Sequence, residues 1–259
     1  MSGRQRLALI SVVLVVALCA LGAWQVSSRH ASAPPIAVAP PTTTTTTRPK
    51  PHVAAKKKAS GLTTVATIRP SGAPGSDTPG GPPTRLVPGE WYKAASVLPV
   101  IAQRPGWVEV RLAQRPNEST TWVPVGDVTL AHDAYKIVID LSTEHLQLFK
   151  SGKQVANFPA GIGTVDDPTP TGEFFVAFVA ASPSPGYGAF ILATSAHSNV
   201  ITDFDNSGDA ITAIHGPLGE DAAIGTTGAK VSHGCIRLHD SDLLQLKDVP
   251  MGTPISIVA

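Results

Sequence analysis

Ser232-His233-Gly234-Cys235-Ile236-Arg237-Leu238 holds the only cysteine of the chain outside an apolar amino-terminal run. A cysteine is a nucleophile only as thiolate, and with a free pKa near ~8.5 it needs a neighbouring base or a positive field to react at neutral pH. Two histidines are candidates for that base: His233, two residues back, and His215, in Ile214-His215-Gly216. Gly234 lets the backbone come close to a substrate, so the reading turns the N–H groups of Gly234 and Cys235 towards a developing oxyanion, with Ser232 in support. Arg237 alternates with Ile236 and Leu238; if the apolar pair faces a core, Arg237 faces a cleft or solvent, where its guanidinium could bind a carboxylate or form an ordinary salt bridge.

Working outward, His215 closes the alternating run Ala210-Ile211-Thr212-Ala213-Ile214, which reads as a strand, and Gly216-Pro217 turns the chain away. A strand end is a rigid place for a base. From Tyr135 onward short strands recur: Lys136 to Asp140, Leu146 to Phe149, Val155 to Phe158, Glu173 to Val179 and Pro254 to Val258. The one helix signal is a Leu243-Leu244-Leu246 run, capped by Asp240 or Ser241 and closed by Pro250 and Gly252. Residues 181–207, rich in proline, glycine and asparagine, suit a long hairpin or lid over a site. The expected class is β-dominated, a sandwich with one or two short helices.

Ile214-His215-Gly216, then Ser232-His233-Gly234-Cys235-Ile236-Arg237-Leu238, with Thr169-Pro170-Thr171-Gly172-Glu173-Phe174 upstream, resembles the signature of the L,D-transpeptidase catalytic domain. The resemblance runs from about Tyr135 to the carboxyl end. It implies an L,D-transpeptidase-like β-sandwich in which Cys235 attacks a peptidoglycan stem peptide and His215 is the base, its other ring nitrogen oriented by a backbone carbonyl. His233 then borders the substrate, and Gly216, Tyr187 and Arg237 are candidate substrate contacts, Tyr187 from a lid. No cofactor is implied. The partners implied are donor and acceptor stem peptides, with carbapenem-type β-lactams as inhibitors. Water as acceptor would make the chain an L,D-carboxypeptidase, and a dormant site would leave a wall-binding protein. The Thr169 element itself reads as turn chemistry leading into the Glu173 strand.

Other chemistries lack their patterns. His197, His215, His233, Cys235 and His239 show no Cys-x-x-Cys or His-Glu-x-x-His spacing, so no metal is expected, and there is neither a phosphate loop nor a Gly-x-Ser-x-Gly elbow.

The front of the chain is of another kind. Leu7 to Trp24 is almost uninterruptedly apolar behind Arg4 and Arg6, close to the ~20 residues that span a bilayer. Residues 1–30 read as an export signal or an anchor with its amino end inside; Pro34 after Ala31-Ser32-Ala33 is a poor cleavage context and favours the anchor. The expectation is an exported, membrane-anchored protein on the cell-wall side, or a secreted one if the signal is cleaved. An exported thiol without an intrachain partner, Cys19 lying in the apolar run, is a liability unless it is used.

Residues 31–85, rich in Pro, Thr, Ala, Gly and Lys and including Thr42 to Thr47, read as a disordered linker able to reach on the order of 100 Å. Up to Arg85 ten basic residues stand against Asp77 alone, and the remainder is acidic, which argues against a nucleic-acid partner. Residues 86–131 alternate in Trp107-Val108-Glu109-Val110-Arg111 and Thr121-Trp122-Val123-Pro124, a loose likeness to a bacterial SH3-like module. Its size is marginal for an independent core, so it is expected to pack on the catalytic domain at 132–259.

Overall fold

The computed structural model describes residues 61–204, 206–226 and 229–259. The apolar segment at 1–30, Cys19 and the linker up to residue 60 lie outside the described residues. The rest of the expected linker does not behave as one. Thr63–Ile68 is a strand paired with Val97–Arg104 on one side and Val128–Asp133 on the other. The sheet runs in the order Thr120–Pro124, Trp107–Arg111, Val97–Arg104, Thr63–Ile68, Val128–Asp133, every pair antiparallel. A module bounded at 86–131 would lack an inner strand. The proline and glycine around Thr63–Ile68 mask six residues, Thr-Thr-Val-Ala-Thr-Ile, whose Val65, Ala66 and Ile68 are buried.

Within this sheet Val108, Val110 and Val123 point to the core, and Trp107 and Trp122, on the alternate positions, are half-buried on the opposite face. The small core is completed from outside. Along the strand Gly172–Ala181, Phe174 and Val176 enter the core of the carboxyl-terminal sheet, while Phe175 and Ala177 enter the core of the amino-terminal sheet. The period of two thus lets one strand bury both faces, as a module too small for its own core requires. Asp133 adds a buried polar tie, accepting from Thr253 Oγ1 at 2.6 Å and from the Tyr135 N–H at 2.8 Å.

The carboxyl-terminal half is one mixed sheet of eight strands, in the order Lys153–Pro159, His145–Lys150, Tyr135–Asp140, Pro254–Val258, Gly172–Ala181, Phe190–His197, Ile211–His215, Ile236–Arg237. It curls until its ends meet: Gly161, just past the first strand of that order, exchanges two backbone hydrogen bonds of 2.8 Å with Arg237 on the last. The enclosed core holds Ile137, Ile139, Leu146, Phe174, Ile214, Ile236 and Ile255. The expected β-dominated class is therefore present, with a single short helix among the described residues, Asp240–Leu243, continued by a 3-10 turn over Leu244–Leu246. Its cap position falls on His239 rather than on Asp240 or Ser241, and no side chain caps it; Leu243 and Leu246 are buried while Leu244 is exposed.

Candidate active site

Ile211–His215 and Ile236–Arg237 lie side by side and parallel, with Ile214 opposite Ile236 and His215 opposite Arg237. Ile214, Ile236 and Leu238 go into the core, so the alternate positions Ala213, His215, Cys235 and Arg237 share the other face. All four line a pocket of about 230 Å³. Strand alternation on two neighbouring strands is what brings the predicted nucleophile and the predicted base together.

His215 as a residue is 3% exposed. Its Nδ1 lies 2.7 Å from the carbonyl of Gly216. A carbonyl only accepts, so the proton sits on Nδ1 and Nε2 keeps its lone pair. Burial holds the ring far below its ordinary pKa, down to about 4, against the raising effect of the Gly216 hydrogen bond, and the Arg237 charge pushes the same way as burial. Gly216 itself has no room for a side chain: a Cβ there would stand 2.6 Å from the Gly188 nitrogen and 2.7 Å from the Tyr187 carbonyl carbon. That close approach, sealed by the Gly216 N–H donating to the Tyr187 carbonyl at 2.8 Å, lays the Tyr187 ring against His215 with centroids 4.8 Å apart.

Cys235 is half-buried and free. Its sulfur lies deeper than the residue as a whole, and burial pushes the thiol up; a hydrogen bond from the Ala213 backbone and the nearby Arg237 charge oppose this without cancelling it. Both members of the pair are thus held neutral, the thiol protonated and the imidazole free to accept. A pre-formed thiolate in a positive field, one of the two possibilities the sequence leaves open, is not what this environment favours.

The turn before the cysteine differs from expectation in one respect. The Gly234 N–H donates to Ser232 Oγ at 3.1 Å, while the Ser232 hydroxyl donates to the Cys235 carbonyl at 2.6 Å. Gly234 is therefore occupied in closing the turn, with φ +108° that only glycine adopts freely, and Ser232 supports the site by fixing that turn. Thr169 was legible only as turn chemistry, yet its buried hydroxyl donates to the Gly234 carbonyl at 3.0 Å and accepts from the Gly163 N–H at 2.9 Å, bracing the loop from behind. The Thr-Pro-Thr-Gly run was the signal for it.

His233 stands at the rim, its side chain 64% exposed and 3.8 Å from Asp167. Among the described residues no acceptor within hydrogen-bond distance orients its ring as Gly216 orients His215. Arg237 is 8% exposed, turned to the pocket, and its Nε has no hydrogen-bond partner among the described residues. A buried guanidinium turned to a pocket has the donor geometry that suits a carboxylate. The other histidines are elsewhere: His197 lies buried 2.8 Å from Asp209, and His239 pairs with Asp221 at 3.0 Å.

The expected lid at 181–207 divides. Pro185–Tyr187 is a 3-10 turn that delivers Tyr187 to the pocket, Phe190–His197 is a strand of the sheet that adds Ile191, and the residues after His197 contribute Ile201 and Phe204 to its wall. Phe190-Ile191-Leu192 belongs to the strand because Leu192 is needed in the core.

The profile of the YkuD family, the L,D-transpeptidase catalytic domain, matches residues 134–257. YqjB of Bacillus subtilis, provisionally named as an L,D-transpeptidase, is 30% identical over 146 residues, which cover 54% of this chain and 78% of that one. The chain belongs to the L,D-transpeptidase family. YkuD of Bacillus licheniformis, named in the same provisional way, is 32% identical over 126 residues; the match spans 48% of this chain and 65% of YkuD, just under two thirds of its length. Among solved structures, an L,D-transpeptidase from Mycobacterium smegmatis aligns over 76% of this chain and 99% of its own at 16% identity and a TM-score of 0.40. L,D-transpeptidase 3 of Mycobacterium tuberculosis, solved with a faropenem-derived adduct, aligns over 59% and 91% at 16% identity and a TM-score of 0.38. The family match begins at the catalytic half and does not reach the amino-terminal sheet.

Proposed function

We propose that the chain is a peptidoglycan L,D-transpeptidase working through a thioester on Cys235. The observation that carries this is the His215 Nδ1–H donated to the Gly216 carbonyl, which leaves Nε2 as the acceptor on the face shared with Cys235. As Sγ bonds to the carbonyl carbon of the third residue of a tetrapeptide stem, the thiol proton passes to His215 Nε2. The pair starts neutral, so charge appears only as that bond forms, on the imidazolium and the oxyanion. With the Gly234 N–H engaged by Ser232, the Cys235 N–H is the backbone donor left for the oxyanion. Collapse breaks the bond to the terminal D-alanine, whose amine takes the proton back from His215. The amine of a second stem then attacks the thioester, forming the cross-link and restoring the thiol. The unmet donor of Arg237 supports recognition of a stem carboxylate in the pocket. We extend the same reading to an exported protein held at the membrane by residues 1–30, facing the wall.

Incubating the full chain with a disaccharide-tetrapeptide and weighing the products tests the proposal. A dimer lacking one D-alanine is expected. A disaccharide-tripeptide alone would mean that water is the acceptor and the activity is that of a carboxypeptidase. Unchanged substrate would leave wall binding. Cys235→Ala should give no product with the sandwich intact, because the substitution removes one buried sulfur; product from that variant would sink the mechanism.

A further inference from the structure

The loop 112–119 of the amino-terminal sheet reaches across to the catalytic half and ends against the residues that follow His197. Arg115 is at its centre. The guanidinium donates through Nε to Asp209 Oδ1 at 2.9 Å, through one terminal nitrogen to the Ser198 carbonyl at 2.9 Å and through the other to the Ile201 carbonyl at 3.1 Å. Asn117 beside it imitates a strand: its side-chain amide donates to the His197 carbonyl at 2.8 Å and accepts from the His197 N–H at 2.9 Å. The ring of His197 spans the same seam, with Nδ1 2.8 Å from Asp209 Oδ2 and Nε2 3.2 Å from the Ala113 carbonyl.

The partners of Arg115 are distributed tellingly. Ser198 is where the chain leaves the Phe190–His197 strand, Asp209 is where it returns towards Ile211–His215, and Ile201 lies on the outgoing arm. That arm, 198–204, carries Ile201 and Phe204 to the pocket that holds Cys235. Within the catalytic half its described backbone ties sit mainly at its root and return, where the Ser198 N–H donates to the Ala210 carbonyl and the Phe204 N–H to the Asp209 carbonyl, both at 2.8 Å. A planar fork with fixed donors suits joining three acceptors on two arms of one loop, where an ammonium would act as a point charge. Burial works to raise the Asp209 carboxyl, but hydrogen bonds from the Ala210 backbone and Arg115, with the His197 ring beside it, outweigh it and hold it below its usual range, so Asp209 is anionic in this clamp.

We propose that Arg115 is a positioning residue for the active site: from the amino-terminal module it fixes the 198–204 arm, and through Ile201 and Phe204 it sets the wall of the pocket that receives the substrate. The substrate part of this rests on the function proposed above; the fixing of the arm does not. The module is then a working part of the site, not a spacer.

The test uses the full chain with Arg115→Ala, Arg115→Met, which keeps the apolar stem and loses the fork, and Arg104→Ala as an exposed control on the same sheet. By hydrogen exchange, the amides of 198–204 should exchange about tenfold faster in both Arg115 variants, while those of Ile137 and Ile255 in the core stay as in the parent. Labelling of Cys235 by a bulky fluorescein maleimide should accelerate relative to labelling by iodoacetamide, because the wall moves and the thiol does not. With disaccharide-tetrapeptide, KM should rise about tenfold with kcat changed little, the signature of lost ground-state binding. Unchanged exchange of the arm overturns the proposal. So does faster exchange with both the labelling ratio and KM unaltered, since the arm would then be held without shaping the pocket. If the parent itself consumes no stem peptide, the failure falls on the proposed function, and the exchange and labelling measurements still decide the role of Arg115.

Discussion

His215 donates its Nδ1 proton to the carbonyl of Gly216, the very next residue, at 2.7 Å. The proposed base is thus oriented by its own strand end, where many histidine bases rely on a carboxylate from elsewhere in the chain. The difference matters chemically: a neutral carbonyl fixes the tautomer without stabilising an imidazolium as a negative charge would, so burial is left to dominate and the ring stays neutral to low pH.

The acid limb of the reaction should follow from this. With His215 brought down to about 4 from an ordinary 6.5, kcat/KM for the donor peptide should hold as pH falls through 6.5 and drop only near 4. His215→Ala should cost about 100- to 10,000-fold in turnover, as loss of a positioned base does, whereas His233→Ala, at the exposed rim, should cost far less. Iodoacetamide labelling of Cys235 should climb with pH beyond the usual thiol range, because burial raises the thiol. An acid limb near 6.5, or a larger loss in the His233 variant, would reverse the roles.

Stability should carry the same signature. The folded state binds the His215 proton less readily than the unfolded chain does, so protonation favours unfolding. Stability from this group is complete above 6.5 and is lost as pH falls from there to about 4, an effect of about 3 kcal/mol if the whole shift is expressed. Denaturant unfolding of the parent and of His215→Gln at pH 7 and pH 4 checks it: the parent should lose ground relative to the variant on acidification. Equal losses would mean that His215 is not buried as a neutral ring.

The meeting of His215 and Cys235 on one pocket and most strands of the sheet were legible because their signals are local. Alternation in Ala210 to Ile214 and in Ile236-Arg237-Leu238 states which side chains share a face, and that is enough to face His215 and Cys235 onto one pocket. What was not legible depends on contacts between distant segments. Thr63–Ile68 is short and set among prolines and glycines, and it is a strand because Val97–Arg104 and Val128–Asp133 supply partners on both edges. The engagement of the Gly234 N–H by Ser232 is a matter of side-chain rotamer, which no spacing encodes. Nothing local marks Arg115 and Asn117, because their partners, His197 to Asp209, lie some eighty residues on or more.

Gly216 gives a test of the base's seating that leaves every titratable group in place. A methyl group at 216 must displace the backbone of Tyr187 and Gly188, which cannot swing aside as a side chain would. Gly216→Ala should cost about 1–3 kcal/mol of stability as an overpacked site does, and should lower turnover because the carbonyl that orients His215 belongs to the displaced residue. Circular dichroism melting together with turnover reads both; a variant of parental stability and activity would show that the Tyr187 turn has slack.

Carbapenem-type β-lactams should acylate Cys235, with one drug per chain in the intact mass. The strained lactam carbonyl meets the sulfur as a stem-peptide carbonyl would, and its opening needs the same proton transfer through His215 Nε2. The developing oxyanion needs only the Cys235 N–H, since the Gly234 N–H is spoken for, and the drug's carboxylate can take up the unmet donor of the buried Arg237. His215→Ala should therefore slow acylation about as much as it slows turnover, because both begin with the same attack. Cys235→Ala should give no adduct. An adduct that persists in Cys235→Ala would place the nucleophile on another residue and defeat the mechanism, whereas acylation at the parental rate in His215→Ala would keep Cys235 as nucleophile and remove His215 as its base.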